Sequence, residues 1–294
     1  MGRFLDILRL IRVPLVFTTM ADLLVGMAWL QSRFGDLDLL GNPAVHLAFL
    51  ASACLYAFGM ATNDILDRER DRTIHPERPL PSGRISLAAA WGIAIALLLV
   101  AMAASVRLGS IPAAMAAGIA LLILAYNGLA KSFPYPGSIV MGLIRGANVL
   151  FGASVLDGRS RDLWPVAMTP AVAITGYIAL VTVVSTSEEN GDRWRSTAAL
   201  AAILAPLAIA AAPSLPAIPW LLLLLAGIVV WRVIAILRSP SRKTIALTVW
   251  VLLLGLFVLD AHLVLAAGRG LLAAAVIALV LPSLALSRLL RMAS

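Results

Sequence analysis

Residues 63–71 read N-D-I-L-D-R-E-R-D, three aspartates and an asparagine in nine positions at the end of an apolar run from His46 to Ala61. If the helix of that run continues, each residue advances ~100°. With Asn63 at zero, Asp67 then falls at ~40°, Asp71 at ~80° and Asp64 at ~100° on one face. Arg68, Arg70 and Arg72 point elsewhere, so helical neighbours leave these acids unneutralised. Asp67 and Asp71 repel each other at i,i+4. Carboxylates gathered at a membrane boundary are costly without a cation. An oxygen-only donor set suits a hard ion such as Mg²⁺, which keeps positions open for water and a substrate phosphate. The plainer alternative is a solvated acidic loop at a helix end.

A second acid group, S-T-S-E-E-N-G-D, ends at Asp192. Glu188 and Asp192 are four residues apart and share a helical face, with Glu189 and Asn190 as weaker candidates. On the same side of a helical bundle, the two groups could clamp metal ions bound to a diphosphate. Alone, the second group would pass as an ordinary loop. Lys131 is expected at a helix end level with the acids. Lys131 could equally be a snorkelling surface residue. Arg145 falls inside an apolar run, where an unpaired charge is costly. Asn148 lies one turn away, and Gly137, Gly142, Gly146 and Gly152 on the same helix would permit close packing or a groove. Asp22 is a second intramembrane charge, for which a structural ion pair with Arg145 is one expectation and the acceptor contact implied by the resemblance given below is the other. Asp260 and His262 are expected as a buried polar pair.

The elements that must position these residues are apolar. The chain has 294 residues, 61% of them hydrophobic and only 13% charged, against about half and a quarter in a soluble domain. Apolar runs recur from end to end, so the expected fold class is an all-α polytopic membrane protein forming one domain over residues 1–294. Spans of roughly 20 residues are expected at 13–31, 44–62, 87–106, 110–130, 137–155, 165–186, 197–212, 216–237, 244–266 and 270–288. Ten spans are counted, or nine if the seventh and eighth form one broken unit or the last lies on the surface. The first run is too long for a cleaved signal and is read as a retained span. The single cysteine, Cys54, excludes a disulfide framework and a thiolate zinc site. With the amino terminus inside, seventeen Lys/Arg fall on the inner side and five on the outer, with Arg145 within a span. That bias puts both acid groups on the cytoplasmic side. It also explains the net charge of +8 without nucleic acid.

The motif N-D-x-x-D-x-x-x-D followed by R-P-L-P-S-G-R-I-S (Arg78 to Ser86) resembles the first aspartate-rich motif of the UbiA superfamily of intramembrane prenyltransferases. In the second motif Glu188 stands for the usual first Asp and Asn190 for the usual Glu, while Gly191 and Asp192 match. Y-N-G-L-A-K (Tyr126 to Lys131) is similar to the family's block after the fourth span. M-G-L-I-R-G-A-N (Met141 to Asn148) resembles a branch found in Ebo-type gene clusters. The resemblance implies a bundle of nine helices, against nine to ten counted here, and Mg²⁺-dependent transfer of a polyprenyl group from its diphosphate to a lipophilic or aromatic acceptor.

It further implies that Asn63, Asp64, Asp67, Asp71, Glu188 and Asp192 hold Mg²⁺ and that Lys131 meets the diphosphate. Arg12, in the sequence R-V-P, would face the pyrophosphate. Tyr126, Arg78, Arg145, Asn148 and Asp22 would contact substrates. The implied partners are a polyprenyl diphosphate, a hydrophobic acceptor and the lipid bilayer, with the protein in a bacterial-type inner membrane. The loop H-P-E-R-P-L-P-S-G-R, stiffened by Pro76, Pro79 and Pro81, would cap the site. The alternatives are a non-catalytic lipid-binding or assembly protein of the same fold and a secondary transporter. A CDP-alcohol phosphotransferase is disfavoured because the D-G-x-x-A-R signature is absent.

Overall fold

The computed structural model describes residues 2–34, 41–155, 163–187, 192–212 and 220–292. The described elements are helical: α1 (Gly2–Leu10), α2 (Val16–Phe34), α3 (Pro43–Leu66), α4 (Arg68–Ile74), α5 (Leu87–Leu108), α6 (Ser110–Gly128), α7 (Pro134–Ser154), α8 (Leu163–Thr186), α9 (Arg193–Ala202), α10 (Leu204–Ala211), α11 (Trp220–Arg238), α12 (Arg242–Ala266), α13 (Gly270–Ala278) and α14 (Val280–Met292). Ten stretches among them are long and apolar enough to cross a membrane, in agreement with the count from sequence. The chain is an integral membrane protein.

The helix starts follow local chemistry. Asn42 accepts from the Ala44 amide with Pro43 in the first turn of α3. Ser86 and Ser241 likewise cap α5 and α12. Each cap satisfies amides that the first turn leaves unpaired. The seventh span, Arg193–Ala211, is two helical pieces that break at Ile203. Pro206 lacks an amide donor and its ring crowds the carbonyl four residues back, which ends a continuous helix there. Pro282 has the same relation to the break between α13 and α14. The seventh span starts four residues earlier than the hydropathy suggests, because Asp192 caps it.

An inner set of helices, α2, α3, α6, α7, α8 and α12, surrounds a central cavity. The remaining spans pack outside and present leucines such as Leu99, Leu223 and Leu271 to the surroundings. The inner helices approach closely where side chains are absent. A Cβ on Gly26 of α2 would overlap the carbonyl of Val149 on α7, and one on Gly146 of α7 would overlap the Thr175 hydroxyl on α8. This close packing is the role expected for the glycines of α7, and it holds Arg145 and Asn148 against their neighbours.

One local expectation is corrected. The 63–71 segment is not one continuous helix: α3 ends at Leu66, Asp67 sits in a turn conformation, and α4 begins at Arg68. The Asp67 amide still bonds to the Asn63 carbonyl and the Asp71 amide to the Asp67 carbonyl. The acids therefore keep their i,i+4 backbone links across the interruption at Asp67.

Candidate functional site

Each carboxylate of the first motif is paired with a cation from outside the motif. Arg12 donates to Asp64 at 2.9 Å. Arg78 donates to Asp71 and lies 4.0 Å from Asp64. Lys131 reaches Asp67 at 2.7 Å and the Asn63 side-chain oxygen at 3.4 Å. Arg68 and Arg72 instead pair with exposed Glu69, as expected of these two local arginines. The neutralisation comes from elsewhere. Asp64 is only 2% exposed and Asp71 4%, which strengthens the Coulomb attraction beyond that of a surface pair.

The three cations are delivered by three different devices. Arg12 has a left-handed backbone, φ 47° and ψ 49°, the one non-glycine residue of positive φ among the described residues. It sits between α1 and a 3₁₀ turn at Val13–Leu15. That conformation costs roughly 1–2 kcal/mol, a strain of the kind that collects at functional positions. Arg78 projects from the proline-rich loop after α4. Within that loop the Ser82 hydroxyl and amide both bond to the Arg78 carbonyl, the Ile85 amide bonds to the Pro79 carbonyl, and Gly83 turns with φ 77°. Lys131 sits in a 3₁₀ turn, Ala130–Ser132, between α6 and α7.

Below this ionic layer lies a cavity of ≈280 Å³. Arg12, Tyr56, Tyr126 and Asn127 line its upper part. Isoleucines, leucines and valines of α6, α8 and α12 form most of its wall, and Thr18, Thr19, Ser52, Arg145 and Asn148 form a polar floor. Asn127 ties two inner helices by donating to the Gly59 carbonyl and the Thr62 hydroxyl.

In the floor, Arg145 Nε lies 2.8 Å from Asp22 Oδ2, and Asp22 is fully buried. This is the structural ion pair, one of the two alternatives held open for Asp22. Asn148 donates to the Thr19 carbonyl and accepts from Ser52. Arg145 stands eleven residues into α7, so it lies about 16 Å along that helix from the acid end. Asp260 is also fully buried, and neither of its oxygens has a hydrogen bond among the described residues. The polar pair expected of Asp260 and His262 is therefore not formed through the Asp260 oxygens.

The second acid group is only partly placed. Glu188, Glu189, Asn190 and Gly191 lie outside the described residues. Asp192 is exposed, and its side chain accepts from the Arg195 amide as the cap of α9. Several site residues were not singled out from sequence: Ser52, Tyr56, Thr18, Thr19 and Asn127, and a buried aspartate, Asp6. Asp6 accepts from Arg9 and from Arg84 of the capping loop, which fastens α1 to that loop. Thr18, Thr19 and Ser52 gave no signal because a small hydroxyl in an apolar helix bonds to its own backbone as readily as it lines a cavity. Thr18 and Thr19 do both.

The donor set of Asn63, Asp64, Asp67 and Asp71 is all oxygen and fits Mg²⁺ by type. Among the described residues no three His, Cys, Asp or Glu side chains converge on a metal position, and the three carboxylates are instead paired with Arg12, Arg78 and Lys131.

The match to a family model covers residues 19–254 and is to the UbiA prenyltransferase family. The chain belongs to that family. Relatives with established names include the digeranylgeranylglyceryl phosphate synthase of Ignicoccus hospitalis, 30% identical over 152 residues, which is 52% of this chain and 48% of that protein. The match thus spans about half the length of that relative. The synthase of the same name from Natronomonas pharaonis is 28% identical over 215 residues, 73% of this chain and 71% of the relative. Among solved structures, a UbiA homologue from Archaeoglobus fulgidus bound to GPP and Mg²⁺ superposes with a TM-score of 0.60 at 16% identity, covering 87% of this chain and 99% of that one. At that identity the likeness concerns the fold, and the helical bundle of this UbiA member is shared with it.

Proposed function

We propose that this UbiA member is a prenyltransferase that moves a polyprenyl group from its diphosphate to a lipophilic or aromatic acceptor, with Mg²⁺ as cofactor and the whole bundle acting as one unit. The observation that carries this reading is a layer of paired acids and cations set on the mouth of an apolar, membrane-buried cavity. An amphiphile with a diphosphate head and a hydrocarbon tail has the matching division of polarity. Relatives named digeranylgeranylglyceryl phosphate synthase and a homologue bound to GPP and Mg²⁺ support the same class of substrate.

Asn63, Asp64, Asp67 and Asp71 would hold Mg²⁺, with Glu188 and Asp192 from the second motif. Bound there, the ion would supply positive charge to the diphosphate oxygens. The rest of the work falls to the chain's own side chains. Arg12, Arg78 and Lys131 bind the diphosphate and stabilise the negative charge that grows on it as the allylic C–O bond breaks. The bonding electrons leave with the diphosphate, the acceptor attacks the allylic carbon, and the acceptor loses a proton. Arg12, Arg78 and Lys131 are held by carboxylates in the structure described, so they are already in position and exchange one anionic partner for another. Tyr126 and Tyr56 face the head of the cavity, and the apolar walls keep water from capturing the allylic cation. The capping loop carries Arg78 and closes the site from its polar side.

The amino terminus and both acid motifs face the cytoplasm of a bacterial-type inner membrane on this reading, supported by the seventeen-to-five distribution of basic residues. The test is direct. Purified protein in lipid nanodiscs, given Mg²⁺, radiolabelled polyprenyl diphosphates and a membrane lipid extract, is expected to release diphosphate and label a lipid product. Folded protein that does neither would refute prenyl transfer.

A further inference from the structure

The floor of the cavity is polar, and the reaction as described leaves that polarity unused. Arg145 lies about 16 Å along α7 from the acid end, and Ser52, twelve residues before Asp64 on α3, lies about 18 Å from it. Both distances place the floor well below a diphosphate bound at the ionic layer. A hydrocarbon tail driven into the floor would strip water from a guanidinium, an amide and three hydroxyls without replacing the lost bonds. The tail instead has the aliphatic wall of Ile119, Ile123, Ile178, Val181, Val249 and Leu253. The floor is left for the second substrate.

The hydrogen-bonding capacity that remains there defines what it takes. The hydroxyls of Thr18, Thr19 and Ser52 spend their protons on Leu15, Val16 and Asn148. Each keeps oxygen lone pairs that can accept. Both ends of the Asn148 amide are engaged. On Arg145, Nε and Nη2 are buried without a well-aligned hydrogen bond, and Nε is taken up electrostatically by Asp22. Nη1 is the nitrogen left to meet a ligand from the side chain's remaining 10% exposure. A cavity surface with one strong donor and several acceptors suits a group that both accepts and donates.

Charge then separates the candidates. Asp22 already matches the Arg145 guanidinium. An anion arriving at Arg145 would enter a low-dielectric site whose cation Asp22 already matches, an arrangement that costs rather than gains free energy.

We propose that Arg145, positioned by Asp22, anchors the prenyl acceptor, and that the group it holds is a neutral oxygen, a hydroxyl or a carbonyl, rather than a carboxylate or phosphate. The acceptor then lies lengthwise, with its anchored oxygen at the floor and its nucleophile toward the ionic layer. This inference rests on the prenyl-transfer reading above and names its second substrate class.

Two probes alike in shape and different in charge test it: 4-hydroxybenzyl alcohol and 4-hydroxybenzoate. Binding is measured by intrinsic fluorescence on the full chain in nanodiscs with Mg²⁺ and geranyl diphosphate. The alcohol is expected to bind at least about tenfold more tightly, and the double variant Asp22→Asn/Arg145→Gln, which keeps the site neutral but removes the anchoring guanidinium, is expected to bind the alcohol about tenfold more weakly than the wild type. The assignment is overturned if the carboxylate binds as tightly as the alcohol, if neither probe binds, or if the double variant binds the alcohol as tightly as the wild type. Should the double variant fail to reconstitute, the wild-type comparison decides alone. Mg²⁺-dependent diphosphate release from geranyl diphosphate by the wild-type protein checks the underlying reading separately. Release with no preference for the alcohol rejects only the acceptor assignment, and no release rejects prenyl transfer itself.

Discussion

Two sets of charges sit at opposite ends of one cavity, and they are built differently. At the acid end, three carboxylates meet three cations drawn from a strained turn, a proline-rich loop and a 3₁₀ turn, none of them from within the body of a transmembrane helix. At the floor, Asp22 and Arg145 come from the middles of α2 and α7 and are locked between glycine-mediated helix contacts. The exchange of partners proposed for the first set draws on its placement, since its cations ride on turns and a loop outside the spans. The second set cannot exchange partners, because moving either charge would leave the other buried alone. A membrane protein can thus use the same two residue types for a rearranging binding layer and for a fixed scaffold, and the difference lies in the elements that carry them.

The largest expected effect tests the fixed pair. Asp22→Ala leaves Arg145 buried without its carboxylate and should destabilise the protein by about 3–5 kcal/mol. Asp22→Leu combined with Arg145→Met should recover most of that loss. Denaturant or thermal unfolding in detergent measures both, and equal losses in the single and double variants would break the claim that the pair is a unit. At the other end, Asp64→Asn should leave the fold intact and lower the rate of diphosphate release by about 10²–10³-fold. A variant retaining full turnover would remove Asp64 from the proposed site. A smaller effect sharpens the idea of exchange. Lys131→Gln frees Asp67, so it should tighten binding of Mg²⁺ alone by calorimetry while weakening binding of geranyl diphosphate roughly 10- to 100-fold. If both affinities fall together, Lys131 is not a competitor for the metal position.

The packing of α7 offers the mildest test. Gly146→Ala places a methyl against Thr175 and should cost about 1–3 kcal/mol in stability through overpacking. A neutral result in the same unfolding assay would mean that α7 and α8 can separate freely and that the floor is less rigid than argued here.

Much of this was legible in the residues alone. Ten apolar stretches are counted correctly because a 30 Å hydrocarbon layer demands a length and composition that few other contexts tolerate. The acid cluster after α3 and the close packing that was one of two roles expected of the α7 glycines follow from residue type and spacing, while the candidacy of Lys131, Arg78 and Arg12 follows from the family resemblance. The helix break at Asp67 was not visible, since nothing in N-D-I-L-D-R forbids a continuous helix. Nor could spacing say which cation meets which carboxylate, that Asp6 fastens the amino-terminal helix to the capping loop, or that hydroxyls at 18, 19 and 52 share a floor. Those facts depend on pairs separated by 52, 78 and 96 positions in the chain, and such pairs are set only when helices choose their neighbours and their rotation. Sequence determined which segments enter the membrane and which carry charge, because burial and hydration act on each residue where it stands. The tertiary structure decided which charges cancel and which remain for a ligand, because electrostatic pairing depends on distance in space.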